Sequence, residues 1–453
     1  MSTRTKVLVT GADQHQGLAV IRGLGRAGVD VIAAGPDLDS LGFYSRYTAR
    51  CVRYRPPRSD PDGFIRDVID GVRVTGAELV MPAVESTMAV LVDRRAQVER
   101  YARLAVPPTT AAAYALDKRA MLTLAGSLGV RVPPWSAGSS LEELMAAAHR
   151  MTPPFVIKPR GHGSDLAVPS ERDFKVRYAA NQDELYRVLL PLADHAEKLL
   201  VQEYVPGIGR CAAAVWRDGA PVALFAYERE REYPLSGGVS VVRRSIPLDD
   251  ELEATTMKLL SAIHWHGVAM VEYKFDRRAQ SYTLMEINGR FQASTALCID
   301  AGLNLPQLAM QVHLGHRTPA WTPYRFGVVE RWLRGDVFAL VAAFTASRGR
   351  LTRTRRLRAV WHFVRDFARA SHYDELSLDD WKPAVVEALS LAGDLGRALL
   401  DLLPRFPSPV AQPPDESQPP VIAAVPQPQA GVARTKVGPK VPASVATQRS
   451  IRL

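Results

Sequence analysis

The sequence predicts two kinds of fold in succession, an α/β domain with a parallel sheet and then an α+β region with antiparallel strands. The opening residues carry an apolar strand at 6–10, an amphipathic helix at 18–24 and a second strand at 29–33. This β-α-β order is typical of a parallel sheet. In the middle of the chain, short turns such as the one at 217–220 join consecutive strands, and such turns predict antiparallel hairpins.

The end of the chain is predicted to be disordered. Residues 404–453 hold 11 of the 33 prolines and almost no aromatic residues. Such a segment cannot bury enough apolar surface to offset the entropy lost on ordering. The predicted units are a first domain at 1–108, a second domain at 109–315 of which 109–197 includes a small lid subdomain, a mainly helical region at 316–403, and the tail.

Hydrophobic patterning places further elements inside these units. The first domain is predicted to add helices at 63–72 and 87–95 and a strand at 78–81. The second domain is predicted to hold strands at 155–158, 198–204, 211–217, 222–227, 269–275 and 281–287, and a helix at 248–264.

Composition and charge exclude several classes of protein. The net charge is +10, but residues 311–453 hold 20 Lys and Arg against 12 Asp and Glu, so the basic excess belongs to the last third. We therefore expect no nucleic-acid partner. The three cysteines match neither a disulfide framework nor metal-ligand spacing, which favours a reducing compartment. No apolar stretch approaches the roughly 18 residues of a membrane span, and the N-terminus does not resemble a signal peptide, so we expect a cytoplasmic protein.

Two acidic strands suggest a site for a hard cation. Successive side chains of a strand alternate between its faces, so Glu286 and Asn288 point to one side. Glu272 lies on the preceding predicted strand, and antiparallel pairing would bring it close to Glu286. Carboxylate and amide oxygens suit Mg²⁺. On these residues alone, a half-buried strand pair with a solvated polar face is an equally good interpretation.

Two lysines and a glycine-containing loop form a candidate phosphate site. Lys158 ends an apolar strand, and Gly161, Gly163 and Ser164 follow in a loop whose backbone amides can surround phosphate oxygens. Lys118 stands at a predicted helix start, where the helix dipole also favours an anion.

A candidate hinge follows the next predicted strand. Glu203, Tyr204 and Val205 precede a Pro-Gly pair, and their backbone groups are suited to reading the edge of a purine. Each motif is a weak signal alone, so the order of the motifs along the chain is the stronger evidence.

The order of these motifs resembles the ATP-grasp superfamily over roughly residues 5–310. The sequence is similar to the carboxylate–amine ligase branch, which includes carbamoyl phosphate synthetase-like and D-amino-acid ligase-like proteins. The resemblance implies a Rossmann-like pre-ATP-grasp domain followed by an ATP-grasp fold. It also implies ATP and Mg²⁺, or Mn²⁺ in its place, as cofactors, and a small-molecule carboxylate and amine as substrates.

The resemblance also implies roles for individual residues. The implied ATP-binding residues are Lys118, Lys158, Gly161, Gly163, Ser164, Glu203, Tyr204 and Val205. The implied metal ligands are Glu272, Glu286 and Asn288. The implied catalytic residues are Lys158, Arg290 and Arg244, with Arg243 as the alternative to Arg244 for holding the substrate carboxylate.

The chain departs from the family pattern at three positions. Gly289 stands where the family usually has a proline, and Glu272 stands where many relatives have Asp. Arg210 occupies the region where relatives often place an acidic ribose contact, so no ribose ligand is assigned. None of these changes removes a residue that the chemistry requires.

The implied reaction is an ADP-forming ligation. A carboxylate attacks the γ-phosphate of ATP, and an amine or another nucleophile then displaces phosphate from the acyl-phosphate. A non-catalytic ATP-binding scaffold is the alternative. A Rossmann-type oxidoreductase is less favoured, because the turn at Gly11 lacks the GxGxxG spacing of a dinucleotide site.

An arginine-rich segment lies between Arg348 and Arg369. It holds eight arginines and one acidic residue, and its apolar residues form a helical stripe: Leu357, Val360, Trp361, Val364 and Phe367. One interpretation is an amphipathic helix for an anionic membrane surface or an acidic partner. The other, a domain helix with its apolar face buried, is preferred.

Overall fold

The computed structural model describes residues 4–161, 176–233, 238–319, 323–345, 353–369 and 372–402. Met1–Ala398 forms one compact unit. The predicted tail at 404–453 lies outside the described residues, as do Gly163 and Ser164 of the predicted phosphate loop.

A five-stranded parallel sheet opens the chain. Its elements are β1 (Lys6–Thr10), α1 (His15–Arg26), β2 (Asp30–Gly35), β3 (Thr48–Arg53), α2 (Pro61–Thr75), β4 (Leu79–Pro82), α3 (Glu85–Asp93), α4 (Arg95–Val98) and β5 (Arg103–Leu104), with a 3-10 helix at Leu41–Tyr44. The strand order is β3-β2-β1-β4-β5 and every pair is parallel. The predicted parallel sheet is therefore confirmed.

Local sequence explains the ends of these helices. In α2, the Asp60 side chain accepts a hydrogen bond from the Gly63 amide at 2.8 Å, and Pro61 occupies the first turn. The helix ends at Gly76, whose φ of 70° is a left-handed conformation that costs glycine little.

A pair of helices leads into a small antiparallel sheet. The elements are α5 (Thr109–Leu116), α6 (Lys118–Ser127), β6 (Trp135–Ser136), α7 (Leu141–Ala148), β7 (Phe155–Pro159), β8 (Arg177–Ala179), α8 (Gln182–Leu189), a 3-10 segment at Leu190–Lys198, and β9 (Leu199–Glu203). The strand order is β6-β9-β7-β8. A separate core around Leu144, Phe155 and Leu185 holds α7 and α8 against this sheet.

A seven-stranded sheet forms the centre of the remaining chain. Its elements are β10 (Ile208–Arg217), β11 (Ala220–Tyr233), β12 (Val239–Ser245), α9 (Asp250–Ala262), β13 (Gly267–Asp276), β14 (Ser281–Asn288), α10 (Thr295–Asp300), α11 (Leu305–Leu314), β15 (Val329–Arg331), α12 (Leu333–Thr345), α13 (Arg353–Arg369), β16 (His372–Tyr373) and α14 (Lys382–Leu402). The strand order is β14-β13-β10-β11-β12-β15-β16. All pairs are antiparallel except β15–β16, which confirms the predicted hairpins.

The two faces of this sheet pack on different helices. One face carries Trp216 and Tyr273 and packs against α6 and α9. The other face carries Cys211 and Tyr227 and packs against α1, α10 and α11. The helix that follows β1 is thus part of the same core as the large sheet.

The described part of the region at 316–403 is mainly helical, as predicted, but two short strands interrupt it. β15 and β16 extend the large sheet by three and two residues. β15 carries Glu330 and Arg331, both fully buried, so its sequence does not read as an apolar strand. In the part of the chain that the structure describes, no helix combines the length and apolar character needed to cross a membrane.

Candidate active site

Lys118 and Glu286 meet at the centre of the site. Lys118 is buried, and its Nζ lies 3.0 Å from Oε1 of Glu286 on β14. It is the first residue of α6, which begins there because the Asp117 side chain accepts a hydrogen bond from the Arg119 amide at 2.8 Å. The ion pair joins a predicted phosphate-binding lysine to a predicted metal ligand.

A bulge between β13 and β14 sets the face on which the acidic residues lie. Glu272 is directly opposite Glu286, and the register shifts immediately after Glu272. Because of this shift, Leu284 and Ile287 both pack into the core on the opposite face, although they are three residues apart. Glu286 and Asn288 therefore point to the same side as Glu272, as the sequence predicted.

Arg229 of β11 forms a bidentate salt bridge with both carboxylate oxygens of Glu272. Its Nη1 and Nη2 atoms lie 2.8 and 2.5 Å from Oε1 and Oε2 of Glu272. The same Nη1 is 3.2 Å from Glu232, so one guanidinium serves two carboxylates. A bidentate salt bridge of this kind fixes the plane of the Glu272 carboxylate and offsets its charge.

Lys158 of β7 lies near the same carboxylates. Burial lowers the pKa of Lys158, the charge of Glu286 opposes that shift, and the nearby Lys118 adds to it. An ammonium group with a lowered pKa is stabilised in its charged form when an anion arrives beside it. Two lysines so close together are therefore suited to a phosphate group.

The start of the predicted phosphate loop is tied to α6. Arg160 donates from Nη2 to Oδ2 of Asp117 at 2.6 Å, and its carbonyl accepts from the Lys118 amide at 2.9 Å. A β-bridge joins Asp117 to Gly161. Gly161 is thereby placed next to the lysine site, whereas Gly163 and Ser164 lie outside the described residues.

The predicted hinge lies at the end of β9. Oε1 of Glu203 accepts a hydrogen bond from the Thr152 amide at 2.6 Å, and the Tyr204 amide donates to the Pro154 carbonyl at 2.8 Å. These bonds fix the segment against the preceding loop. The contact of Glu203, Tyr204 and Val205 with an adenine stays a prediction.

Arg290 stands beside the predicted metal ligands. Its Nη2 donates to Oδ1 of Asn288 at 3.1 Å, and its Nη1 donates to the Phe291 carbonyl at 3.2 Å. Its guanidinium thus lies next to the Asn288 oxygen that was predicted to bind a cation.

The structure distinguishes Arg243 from Arg244. Arg243 is opposite Arg229 in the β11–β12 pair, is fully buried, and donates to Asp374. Arg244 points to the other face of β12, where its Nε lies 3.0 Å from Oε1 of Glu230. The predicted catalytic Arg244 is therefore not brought together with the acidic strands, because neighbouring residues of a strand face opposite ways.

The oxygen donors of this face fit a magnesium ion. Glu272, Glu286 and Asn288 offer two carboxylates and one amide oxygen from adjacent strands, which is the donor chemistry that Mg²⁺ prefers. Among the described residues, no group of three or more His, Cys, Asp or Glu could hold a metal. A cation here would depend on the amide of Asn288 and on oxygens from outside the chain, such as those of phosphates.

Comparison with known proteins agrees with this geometry. Residues 117–320 match the family described as carbamoyl-phosphate synthase L chain, ATP binding domain. The match begins at the cap of the Lys118 helix and extends past Arg290. Residues 117–320 are an ATP-grasp domain.

Individual relatives share the ATP-grasp fold at low identity. D-alanine–D-alanine ligase of Caulobacter vibrioides is 26% identical over 189 residues, which are 39% of this chain and 56% of that ligase. The chain thus spans about half the length of the curated ligases that it matches first. A biotin carboxylase–β-γ-ATP complex from Campylobacter jejuni has a TM-score of 0.59 at 16% identity, covering 72% of this chain and 74% of that one.

A second solved structure also shares the fold of this chain at low sequence identity. The L-amino acid ligase from Bacillus licheniformis has a TM-score of 0.55 at 14% identity, covering 71% of this chain and 76% of that one. These likenesses confirm the predicted fold, a parallel-sheet domain followed by an ATP-grasp domain.

Arg229 was not predicted from the sequence. It lies in the run from Tyr227 to Glu232, where Glu and Arg alternate. The alternation has the period of a strand and places Arg229 and Arg231 on one face, which could have indicated a charged face beside the acidic strands. The run instead resembles an ordinary solvated surface, and only the pairing of β11 through β10 to β13 shows where it lies.

Proposed function

We propose that this ATP-grasp protein is an ADP-forming ligase that activates a carboxylate with ATP and joins it to an amine. The meeting of Lys118, Lys158, Glu272 and Glu286 carries the proposal. Two lysines and two carboxylates from separate elements share one partly buried place, which suits a triphosphate bound with a divalent cation. A merely solvated strand pair gives no reason for a buried Lys118.

The residues of this site divide the binding of ATP between them. Lys118, Lys158 and the loop that begins at Gly161 are proposed to hold the phosphates, and the hinge at Tyr204 is proposed to hold the adenine. Glu272, Glu286 and Asn288 would hold Mg²⁺, which neutralises phosphate charge when bound. Until ATP arrives, Lys118 and Arg229 balance the two carboxylates.

The chemical step is a phosphoryl transfer followed by an acyl transfer. A substrate carboxylate oxygen attacks the γ-phosphorus, and ADP leaves. The amine then attacks the acyl carbon, and phosphate leaves with the oxygen that came from the carboxylate. Arg290 is proposed to stabilise the negative charge on the transferred group, and the position of its guanidinium beside Asn288 supports this role.

The cysteines do not favour a covalent enzyme adduct. Burial raises the pKa of Cys211 to about 11 and raises that of Cys298 well above its ordinary value. Cys51 is exposed on β3, and partial burial raises its pKa as well. Thiols with raised pKa values are poor nucleophiles near neutral pH, which supports transfer through an acyl-phosphate.

We propose amino acids as the substrate class. A sequence relative, a D-alanine–D-alanine ligase, and a structural relative, an L-amino acid ligase, support this choice. Glu85, the first residue of α3 after β4, is proposed to face the substrate from the first domain. The predicted unit boundaries and a cytoplasmic location also stay proposals, the latter supported by the three unpaired cysteines.

The test is a screen of the purified chain for ADP release. Pools of amino acids and small carboxylic acids are added with ATP and Mg²⁺, and pairs of pools are compared with single pools. We expect ADP release that needs an acid and an amine together and is lost in Glu286→Gln. ATP binding without turnover in any pool would favour the scaffold instead, and binding is measured separately by calorimetry.

A further inference from the structure

Helix α13 is attached to the protein by its polar side. Asp366 is buried and accepts a hydrogen bond from Nη2 of Arg231 at 2.9 Å. Arg331 is fully buried, donates to the Phe363 carbonyl at 3.1 Å, and lies 4.4 Å from the centre of the Phe363 ring. A helix on the surface of a globular protein usually does the reverse and buries its apolar stripe.

The apolar stripe of α13 faces solvent. Leu357, Trp361 and Val364 have the i, i+4, i+7 spacing of one helix face and are 63%, 63% and 58% exposed. The interpretation preferred from the sequence, a domain helix with its apolar face buried, is therefore wrong for these residues. A contiguous apolar face that stays exposed to solvent is typical of an interaction surface.

Arginines line both sides of the stripe. At 3.6 residues per turn, Arg358 and Arg365 lie on one side of Trp361, and Arg353 and Arg356 lie on the other. Arg353 and Arg358 are exposed. Arg365 pairs with Asp366, and Arg369 pairs with Glu230. The positive charge beside the stripe is therefore carried by Arg353 and Arg358.

We propose that α13 docks on an anionic lipid surface, with its apolar stripe in the headgroup–acyl boundary and its arginines on lipid phosphates. The ring of Trp361 is suited to the interface, since tryptophan combines an apolar body with a polar N–H group. Arginine keeps its charged end in the headgroup layer while its methylenes cover apolar surface. Apolar area and opposite charge together determine the binding of such helices.

Charge argues against the other occupants of this surface. A second copy that presented the same face would bring two rows of arginines together, because a twofold interface places like patches on each other. Residues 404–453 hold six basic and two acidic residues, so the tail has the same sign of charge as the helix. An anionic surface is the complementary one.

The test is co-sedimentation of the full chain with lipid vesicles. We expect binding to vesicles of phosphatidylcholine with 30% phosphatidylglycerol, and little binding to phosphatidylcholine alone. R353E/R358E should weaken binding at least tenfold, because each basic residue near the surface contributes about fivefold. Trp361→Ala should weaken it severalfold, whereas Tyr186→Ala, an exposed aromatic on α8, should leave it unchanged.

The outcome is read together with the folded state of each variant. The thermal unfolding midpoint is measured for all of them, and we expect no change because the three α13 positions are exposed. Equal binding to both kinds of vesicle, or equal loss in Trp361→Ala and Tyr186→Ala, would overturn the proposal. Absence of vesicle binding would also overturn it. In that case, a dimer that Trp361→Ala dissociates would identify a second copy as the occupant, and retention on an acidic peptide would identify an acidic partner.

Discussion

Glu286 and Glu330 lie toward opposite edges of the seven-stranded sheet. The difference between them separates the part of the sheet that is proposed to carry the reaction from the part that stabilises the fold. Glu286 on β14 is partly exposed and meets Lys118. Glu330 on β15 is fully buried next to Arg243 and Asp374. The two regions are joined across one face, because Arg243 is in register with Glu330 on one side and with Arg229 on the other.

The comparison shows that similar charged pairs do different things at different depths. A partly exposed pair can exchange partners at modest cost, so Glu286 can leave Lys118 for a cation while the lysine takes a phosphate. A buried pair such as Arg243 and Asp374 cannot lose a partner without leaving an uncompensated charge. The Glu330 region is therefore expected to hold β12, β15 and β16 in place, and the Glu286 region to carry the reaction.

The largest expected effect is the loss of turnover in Glu286→Gln. Removing the carboxylate charge removes a cation ligand and leaves Lys118 and Lys158 without their nearest acid. We expect ADP release to fall at least about 100-fold, which is typical for the loss of a group that stabilises the transition state. Steady-state ADP release is the measurement, and Glu197→Gln, at an exposed position, is the matched control.

The folded state of Glu286→Gln should be nearly intact, since the position is only partly buried. We expect an unfolding midpoint within about 2 °C of the parent chain. Turnover within twofold of the parent would contradict the assignment of Glu286 to the cation site.

Lys158→Ala is expected to lower turnover by about 10- to 100-fold with little loss of stability. Burial lowers the pKa of Lys158, so the folded protein bears a cost for holding its charge, and removing it relieves that cost. Lys258→Ala, at an exposed position of α9, is the control for removing a lysine. A drop in the unfolding midpoint without a drop in turnover would show that Lys158 is structural.

The sequence predicted the site where the chemistry is local and failed where it depends on pairing across the sheet. Lys118, Lys158 and the alternating Glu286 and Asn288 follow from short patterns, each within one element. Arg229 was missed because a distant strand brings it to Glu272.

The same limit applies to the fold. The parallel and antiparallel sheets follow from regular apolar patterns, but β15 has three residues and two of them are charged and buried. Its place in the sheet follows from the buried ion pair between Arg331 and Asp336 rather than from hydrophobic periodicity. The outward stripe of α13 was wrongly predicted to be buried for a related reason, because the ion pair between Arg231 and the buried Asp366 holds the polar side of the helix inward.

Glu330→Gln tests the expectation that the Glu330 region stabilises the fold. The expected effect is on the free energy of unfolding. Burial, followed by the charge of Asp374, raises the pKa of Glu330 well above its usual range. Above the ordinary pKa the unfolded chain releases this proton while the folded chain keeps it, so stability falls as the pH rises toward the folded pKa. Glutamine cannot titrate, so the stability of the variant lacks this dependence on pH.

The measurement is urea unfolding of both chains at pH 5, 6.5 and 8. The free energy of unfolding of Glu330→Gln relative to the parent should rise with pH, by about 1.4 kcal/mol for each unit by which the pKa is raised. ADP release should stay within twofold, in contrast to the same substitution at Glu286. Parallel stability curves, or a loss of turnover as large as that of Glu286→Gln, would remove the distinction between the two regions.

The smallest expected effect comes from deleting residues 408–453. The segment has no apolar periodicity with which to pack on the large sheet. We expect the unfolding midpoint and the affinity for ATP to stay unchanged within error. A drop of several degrees in a scanning calorimetry experiment would show that the tail contributes to the fold.

The most direct test of the proposed reaction follows one oxygen atom. Once the acid and amine are found, the acid is labelled with ¹⁸O in its carboxylate and incubated with ATP and the amine, and the phosphorus products are followed by ³¹P NMR. Attack of the carboxylate on the γ-phosphorus predicts ADP and inorganic phosphate that carries one ¹⁸O atom per turnover. AMP with pyrophosphate as the main products, or phosphate without the label, would contradict activation through an acyl-phosphate.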